Sequence, residues 1–379
     1  MGLGGEAMKE IGIARVLTRM RREKGVTQDE LAAHVGVSKA SVSKWETGQS
    51  YPDIALLPLL ASYFGITIDE LMCYEPQMEK RDIERLYLRL ADAFAARPFA
   101  DVVGEAREAV KKYYSCWPLL YRMAILLVNH QMLAPKPEDR PAILREAAEL
   151  CARVRAGTED IDLAKETALL EAVCRLLLGA PKEALALLGD GKKPIMTENA
   201  LIAQAHQMLG ETREAVEITQ IAIYQALILL VGAAPTYLAM VGDDGQAEET
   251  IRRARAVAEA YDLDKLHSNT MAQFYLAAAQ FYAARERADE ALGMLERYAR
   301  LCADFSYELR GDGYFDMLDG WLSGLDGGAR PPRSKPVIRE SMLEAVESNP
   351  AFLPLRETAR YRDIVGTLRD NLGGFYGHQ

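Results

Sequence analysis

The sequence contains few of the residues that cross-link chains, bind metals or catalyse reactions. Its five cysteines are scattered singly through 379 residues and form no C-x-x-C pair. This spacing excludes a disulfide framework and a zinc site, and it is typical of small core residues in a reducing cytoplasm. The five histidines show no metal-ligand spacing, and His-Glu-x-x-His is absent. We therefore predict no catalytic residue, no metal and no cofactor.

The sequence also lacks a basic surplus and an apolar leader. It has 45 basic and 55 acidic residues, a net charge of -10, and this balance argues against nucleic acid as a partner. The first residues have no apolar core of the kind a signal peptide needs. Met8 is an alternative natural start, and residues 1–8 are predicted to be a disordered extension. A cytoplasmic protein is expected.

Helix-forming residues dominate the composition. We count 55 Ala and 48 Leu, and both are strong helix formers. The sequence therefore predicts an all-α protein, and its length predicts two to three domains.

One long uncharged stretch calls for a membrane test. Residues Ile218 to Gly242 carry no charge and could span a bilayer. They also include Gln220 and Gln225, and Gly-Ala-Ala-Pro at 232–235 predicts a turn. We expect two buried helices of a soluble core here, with no membrane partner. A dimer interface, an apolar pocket and membrane contact remain alternatives.

The most informative segment runs from residue 25 to residue 48. Thr27 and Glu30 form a capping box that starts a helix. Gly36 can adopt the left-handed conformation that ends it, and Ser38 caps the next helix. Val42 and Trp45 lie three residues apart, so both face back toward the first helix. Two short helices joined by a tight glycine turn make a helix-turn-helix.

This segment resembles the Cro/phage-repressor type of DNA-binding domain, the XRE family. The resemblance runs from about Ile11 to Met72 and includes Thr-Gln-x-Glu-Leu-Ala, Gly-Val-Ser and Val-Ser-x-Trp-Glu-x-Gly. A second capping box, at Thr67 and Glu70, starts the last helix. The resemblance implies the five-helix fold of lambda repressor and a sequence-specific transcriptional regulator.

The resemblance also implies roles for individual residues. Arg21 and Glu46 would join the first helix to the end of the third, and Gln28 would contact a phosphate. The recognition helix would place its N-terminal residues in the major groove of double-stranded DNA. The implied DNA-binding residues are Gln28, Ser38, Lys39, Ala40, Ser41, Ser43 and Lys44.

The local charge of this segment weakens the argument that the overall charge of -10 makes against nucleic acid binding. Residues 9–48 hold eight basic and five acidic residues, a net charge of +3. Few phosphates can be neutralised by one such surface, so binding should weaken quickly with salt. A homodimer would double the contacts and place two recognition helices about 34 Å apart on a pseudo-palindrome.

The rest of the chain repeats a helical hairpin. Leu-Gly or Val-Gly recurs at 178–179, 209–210 and 241–242, at spacings of 31 and 32 residues, and a new helix follows each. Stacked hairpins form a solenoid because none can bury its apolar face alone. The pattern resembles tetratricopeptide (TPR) repeats, most clearly over residues 273–292.

These patterns predict the domain organisation. It comprises the extension at 1–8, the DNA-binding domain at 9–73, a connector helix at 74–97, a TPR-like array at 98–325, a loop at 326–336, and C-terminal helices with a fraying tail at 337–379.

The array predicts a sensing role. A DNA-binding domain followed by TPR-like repeats resembles quorum-sensing regulators of Gram-positive bacteria, in which a peptide lies in the repeat groove. Asn129, Asn199 and Asn269 are candidate effector-binding residues, because an amide both donates and accepts hydrogen bonds. A peptide, small-molecule or protein effector would favour one arrangement of the array and change the spacing of the two DNA-binding domains. The alternative is an interaction or dimerisation scaffold without an effector.

Overall fold

A computed structural model describes residues 12–72, 77–189, 191–192, 198–325 and 330–372. The predicted extension at 1–8, the alternative start Met8 and the tail from Gly373 to Gln379 lie outside these residues. The chain divides into two compact units. The first comprises Met1–Lys80 and Lys111–Leu119, and the second comprises Arg81–Val110 and Leu120–Gln379. Within the described residues every regular element is helical, which confirms the all-α class.

The first unit contains the five predicted helices. They are α1 (Ile13–Glu23), α2 (Gln28–Val35), α3 (Lys39–Glu46), α4 (Leu57–Phe64) and α5 (Ile68–Met72), with a short 3-10 helix at Ile54–Leu56 before α4. The core of this unit draws on all five helices and includes Leu17, Leu31, Val42, Leu60 and Leu71, each fully buried.

Local sequence signals set the limits of α2 and α3. The Thr27 hydroxyl accepts from the Glu30 backbone N–H, and the Glu30 carboxylate accepts from the Thr27 N–H at 2.7 Å. This pair confirms the capping box and holds the first turn of α2. Gly36 has φ +75°, so α2 ends in a left-handed residue as predicted. Ser38 then caps α3 by accepting from the Ser41 N–H at 3.2 Å.

The second unit holds most of the remaining helices. They are α6 (Lys80–Ala93), α7 (Phe99–Lys112), α8 (Trp117–His130), α9 (Arg140–Gly157), α10 (Ile161–Leu177), α11 (Pro181–Leu188), α12 (Asn199–Leu209), α13 (Thr212–Gly232), α14 (Ala234–Met240), α15 (Asp244–Ala260), α16 (Leu263–Leu266), α17 (Ser268–Ala283), α18 (Ala288–Ala303), α19 (Leu318–Gly324), α20 (Lys335–Glu347) and α21 (Ala359–Leu372). Short 3-10 helices lie at Gln131–Leu133, Pro137–Asp139 and Pro350–Leu355.

Helical hairpins pack side by side in this unit, as the repeat pattern predicted. Helices α9 and α10, α12 and α13, and α17 and α18 form packed pairs. Gly179 and Gly210 have positive φ at the ends of α10 and α12. The main core includes much of α17 and α18, where Phe274, Ala278 and Leu295 are fully buried.

The uncharged stretch at 218–242 differs from the prediction. Helix α13 ends at Gly232 and α14 begins at Ala234, so the change from one helix to the next falls within the predicted 232–235, although the single residue between them, Ala233, is itself in a right-handed helical conformation. Pro235 lies in the first turn of α14, where its missing N–H costs no hydrogen bond. The span Thr212–Met240 is long and apolar enough to cross a membrane, and 28% of its most apolar window is buried. The prediction of full burial is therefore wrong for most of it, although a core helix of a soluble protein can pass the same test.

Candidate DNA-binding surface

The recognition helix α3 separates a buried face from an exposed one. Val42 and Trp45 are buried against the rest of the unit, which confirms their predicted role in the core. Lys39, Ala40 and Lys44 are exposed. Helical spacing thus leaves two cations and a methyl group free of the core, which is the composition needed to contact phosphates and base edges.

The three serines of the predicted DNA contacts are arranged differently. Ser38 and Ser41 share a hydrogen bond of 2.9 Å between their hydroxyl oxygens at the start of α3. Ser38 is exposed, whereas Ser41 and Ser43 are half-buried. The Ser38 and Ser41 hydroxyls lie together at the helix N-terminus, where the backbone dipole favours an anion.

A buried ion pair fixes the end of α3 to α1, as predicted. Arg21 Nε donates to Glu46 Oε1 at 2.6 Å, and its Nη2 donates to Oε2 at 3.0 Å. Arg21 also donates to the Val26 carbonyl at 2.8 Å. The side chains of Arg21 and Glu46 are only 14% and 6% exposed. A bidentate pair of this kind holds both helices in one relative orientation.

Gln28 belongs to the same network. Its Nε2 donates to Glu46 Oε2 at 2.8 Å, so the first residue of α2 is tied to the last residue of α3. Burial by itself would raise the pKa of Glu46, but hydrogen bonds from Arg21 and Gln28 outweigh it, and the pKa lies below its usual value. Glu46 therefore remains ionised at neutral pH. The network positions Gln28 at the N-terminus of α2, where its role as a phosphate contact stays a prediction.

Asp29 is a part of this surface that the sequence did not single out. Lys39 Nζ donates to Asp29 Oδ2 at 2.7 Å, and both side chains are more than 60% exposed. An acidic residue therefore forms an ion pair with one of the two lysines predicted to bind DNA. Both residues of this ion pair are visible in the sequence, but they are ten positions apart. They meet only because the glycine turn at Gly36 brings the first turns of α2 and α3 together.

Lys24 is a second cation with a defined partner. Its Nζ lies 4.0 Å from the centre of the Tyr63 ring and donates to the Tyr63 carbonyl. The centres of the His34 and Tyr63 rings lie 4.2 Å apart. These contacts join α1, α2 and α4, which indicates a structural role for Lys24 beside its contribution to the positive charge.

In the second unit, the predicted effector residue Asn129 lies in a polar cluster. Its Nδ2 is 3.5 Å from the Tyr87 hydroxyl, which donates to the Pro332 carbonyl at 3.1 Å. Arg122 stacks over the Tyr87 ring at 4.4 Å and pairs with Glu84 at 2.6 Å. Side chains of α6 and α8 thus hold a backbone carbonyl from the segment before α20. The sequence gave no signal of this contact between residues 245 positions apart.

His130 and Arg333 extend this cluster. His130 is fully buried, stacks on Phe94 at 4.3 Å, and makes a 2.8 Å hydrogen bond to the Leu126 carbonyl. Burial and, to a smaller extent, the positive charge of Arg333 lower the pKa of His130 to about 4. Arg333 donates to the Ser341 hydroxyl at 3.1 Å, and burial lowers its own pKa.

The other two candidate effector residues lie elsewhere in the unit. Asn199 is half-buried at the first residue of α12, and Asn269 is exposed in the first turn of α17. The cap of α17 is made by His267, whose Nδ1 accepts from the Thr270 N–H at 3.3 Å. The three asparagines therefore lie on three different helices, and only Asn129 contacts the polar cluster described above.

Four of the five cysteines fall within the described residues. Cys116, Cys151, Cys174 and Cys302 are all buried and free, which confirms their prediction as core residues. Cys73 lies outside the described residues. Over the described part of the chain, no group of three His, Cys, Asp or Glu side chains is arranged to hold a metal.

Comparison with known proteins places the first unit in a family. A helix-turn-helix family profile matches residues 17–71. The chain is 41% identical over 59 residues to the HTH-type transcriptional activator BcrR of Enterococcus faecalis, covering 16% of this chain and 29% of that protein. The chain therefore spans under a third of the length of that relative.

A second relative is covered more fully. The chain is 41% identical over 54 residues to the uncharacterized HTH-type transcriptional regulator y4dJ of Sinorhizobium fredii, covering 14% of this chain and 70% of that protein. Among solved structures, the apo form of the competence regulator ComR from Streptococcus vestibularis aligns with 84% of this chain and 99% of its own. That alignment has 12% identity and a TM-score of 0.25. The matched segment contains the capped helices α2 and α3, and the chain belongs to the XRE-type helix-turn-helix family of transcriptional regulators.

Proposed function

We propose that this regulator binds a specific operator as a homodimer, with α3 of each copy in the major groove. The observation that carries the proposal is the division of α3 into a buried face and an exposed face with two cations. Lys39 and Lys44 would donate to guanine O6 and N7, and Ala40 would contact a thymine methyl group. Gln28 and the serine hydroxyls at 38, 41 and 43 would bind phosphates or base edges.

The test separates base recognition from backbone contact. Random-sequence selection with the full chain supplies an operator duplex, and a scrambled duplex of equal length supplies the non-specific reference. Lys39→Ala or Lys44→Ala should weaken operator binding by about 1–3 kcal/mol while changing scrambled DNA less. Gln28→Ala should weaken binding to both duplexes about equally, since a phosphate contact carries no sequence information.

A matched control tests whether loss of any lysine has the same effect. Lys265 is exposed in α16 of the second unit, and Lys265→Ala should leave binding to both duplexes unchanged. Unchanged operator affinity in both α3 lysine variants at moderate salt would contradict the assignment of these contacts.

The second unit is proposed to bind an effector that alters DNA binding. The supporting observation is that the Tyr87 hydroxyl, to which Asn129 donates, already donates to a backbone carbonyl of another segment of this chain, at Pro332. A peptide effector needs the same chemistry, because its own backbone must be hydrogen-bonded when it leaves water. The effector would compete with the segment around Pro332 and favour a different arrangement of the array.

This proposal can be tested without knowing the natural effector. A labelled peptide with the sequence of residues 330–334 should bind a full-length variant whose own residues 330–334 are replaced by Gly and Ser. Asn129→Ala in that variant should weaken peptide binding, whereas Asn371→Ala, exposed in the last turn of α21, should not. Equal peptide binding by the Asn129→Ala variant and its parent would refute the site. The alternative is a scaffold without effector, and a cytoplasmic location is proposed for either.

A further inference from the structure

Helix α12 has its polarity reversed. None of its eleven residues is buried, although most are apolar. It packs on α13 through its half-buried residues Asn199, Ala203 and His206, which recur at helical spacing. Leu201 and Met208 lie on the opposite face, Ile202 and Leu209 lie on the flank beside them, and all four side chains are exposed. An amphipathic helix normally buries its apolar face and leaves its polar face in water.

The exposed apolar surface is concentrated in one part of the chain. Of 25 exposed large apolar side chains among the described residues, 15 lie between Leu169 and Met240. Ten of these belong to α10, α11 and α12. At 43% to 82% exposure, these ten side chains present, summed over the three helices, on the order of 1,000 Å² of apolar surface.

We propose that the apolar face of α12, supplemented by those of α10 and α11, is the surface through which two copies of this chain dimerise. This inference rests on the proposed function, which requires a dimer, and names the surface that forms it. The available apolar area matches the roughly 800 Å² that each partner contributes to a stable interface. Burying it in a second copy would cover ten of the 25 exposed large apolar side chains among the described residues.

The charge of α12 favours a second copy over other partners. The helix contains no Asp, Glu, Lys or Arg. In a two-fold interface, each residue near the axis lies opposite the same residue of the second copy. A charged residue there would therefore be repelled by an identical charge. A neutral face avoids that repulsion. A helix lying on a membrane normally carries Lys and Arg on its polar face, and α12 has neither.

Sedimentation velocity of the full chain tests the proposal. The wild type should be a dimer, and Leu201→Glu with Met208→Glu should raise the dimer dissociation constant about a hundredfold or more, since carboxylates would be buried in the interface. Both side chains are at least 70% exposed, so the variant should keep the helicity of the wild type by circular dichroism. Leu353→Glu, on a side chain 54% exposed outside these helices, is the matched control and should remain dimeric.

The outcomes distinguish the surface from the function. A wild-type dimer that the double variant does not dissociate would overturn the α12 surface but leave the dimer of the proposed function intact. A wild type that is monomeric on and off operator DNA would overturn both the surface and the proposed dimer. Flotation of the wild type with phosphatidylcholine–phosphatidylglycerol vesicles, lost in the double variant, would assign the face to a membrane and overturn the proposal. A single Met208→Glu variant gives the same readouts if the double variant loses helicity.

Discussion

Replacing Asp29 with Asn should strengthen DNA binding without stabilising the protein. Asp29 accepts a 2.7 Å hydrogen bond from Lys39, and both side chains are more than 60% exposed. An exposed ion pair contributes about 0–1 kcal/mol, so the free energy of unfolding should fall by no more than about 1 kcal/mol. The substitution removes a negative charge beside the proposed DNA surface and releases Lys39 to contact a phosphate or base.

The gain in affinity can be estimated from the charges. A carboxylate about 8 Å from a phosphate repels it by about 0.5 kcal/mol in water, and salt screens charges beyond about that distance. Removing this repulsion should tighten operator binding by about two- to fivefold at low salt. If Lys39 then neutralises one more phosphate, the slope of log K against log salt should become steeper by up to about 0.9.

The assay is fluorescence anisotropy of a labelled operator over a series of salt concentrations. A cycle with Lys39→Ala isolates the pair, because Lys39→Ala should cost more affinity in the Asp29→Asn chain than in the wild type. Asp162→Asn is the matched control, since Asp162 pairs with Lys165 at 3.3 Å on α10 and both are exposed. Weaker binding by Asp29→Asn would refute the reasoning, because it would mean that Asp29 holds Lys39 in its binding position.

Three further substitutions test individual contacts. Glu46→Gln should destabilise the first unit by about 2–4 kcal/mol in thermal unfolding at neutral pH, since it leaves the buried Arg21 without an anion. Because the pKa of Glu46 is lowered in the folded chain, the difference in stability between the wild type and this variant should disappear as the pH falls through that pKa. The folded chain should lose stability as pH falls from 6.5 toward about 4, by up to about 3 kcal/mol, because only the unfolded His130 takes up a proton there. His130→Gln should flatten this pH dependence of the unfolding temperature, and an unchanged profile would contradict the burial of a neutral imidazole. Tyr87→Phe should leave the helicity intact and increase proteolysis near Pro332, and equal cleavage would show that the hydrogen bond does not hold this segment.

The parts of the structure predictable from sequence depend on local chemistry. The capping boxes at Thr27 and Thr67, the glycine stop at Gly36 and the cap at Ser38 each involve residues within a few positions of one another. A side chain and a backbone N–H three residues apart leave little choice of partner, so these signals specify helix ends directly. Trp45 was predictable for a similar reason, since its apolar spacing matches one helix face.

Most contacts between distant segments could not be predicted from the sequence. The Arg21–Glu46 pair was predicted only through the family resemblance. The Asp29–Lys39 pair and the Tyr87 hydrogen bond to Pro332 depend on how elements pack, which spacing alone does not specify. The break predicted between α13 and α14 is only one residue long, because Pro235 is compatible with the first turn of a helix and lets α14 begin at once. In α12 the periodicity indicates an apolar face but contains no information about what covers it.

The small positive charge of the DNA-binding domain gives the proposed dimer a direct role in regulation. One copy presents few free cations, because Lys24 contacts Tyr63 and Lys39 is paired with Asp29. Tight operator binding would then depend on joining two such surfaces, since linking two sites raises the effective concentration of the second. An effector in the second unit would need to alter only the pairing of the two copies. A shift of about 1.4 kcal/mol in that pairing changes the dimer dissociation constant tenfold. Operator occupancy should therefore follow dimer stability. Variants of α12 should weaken operator binding in a way that depends on protein concentration. Variants of the α3 lysines should weaken it in a way that depends on DNA sequence.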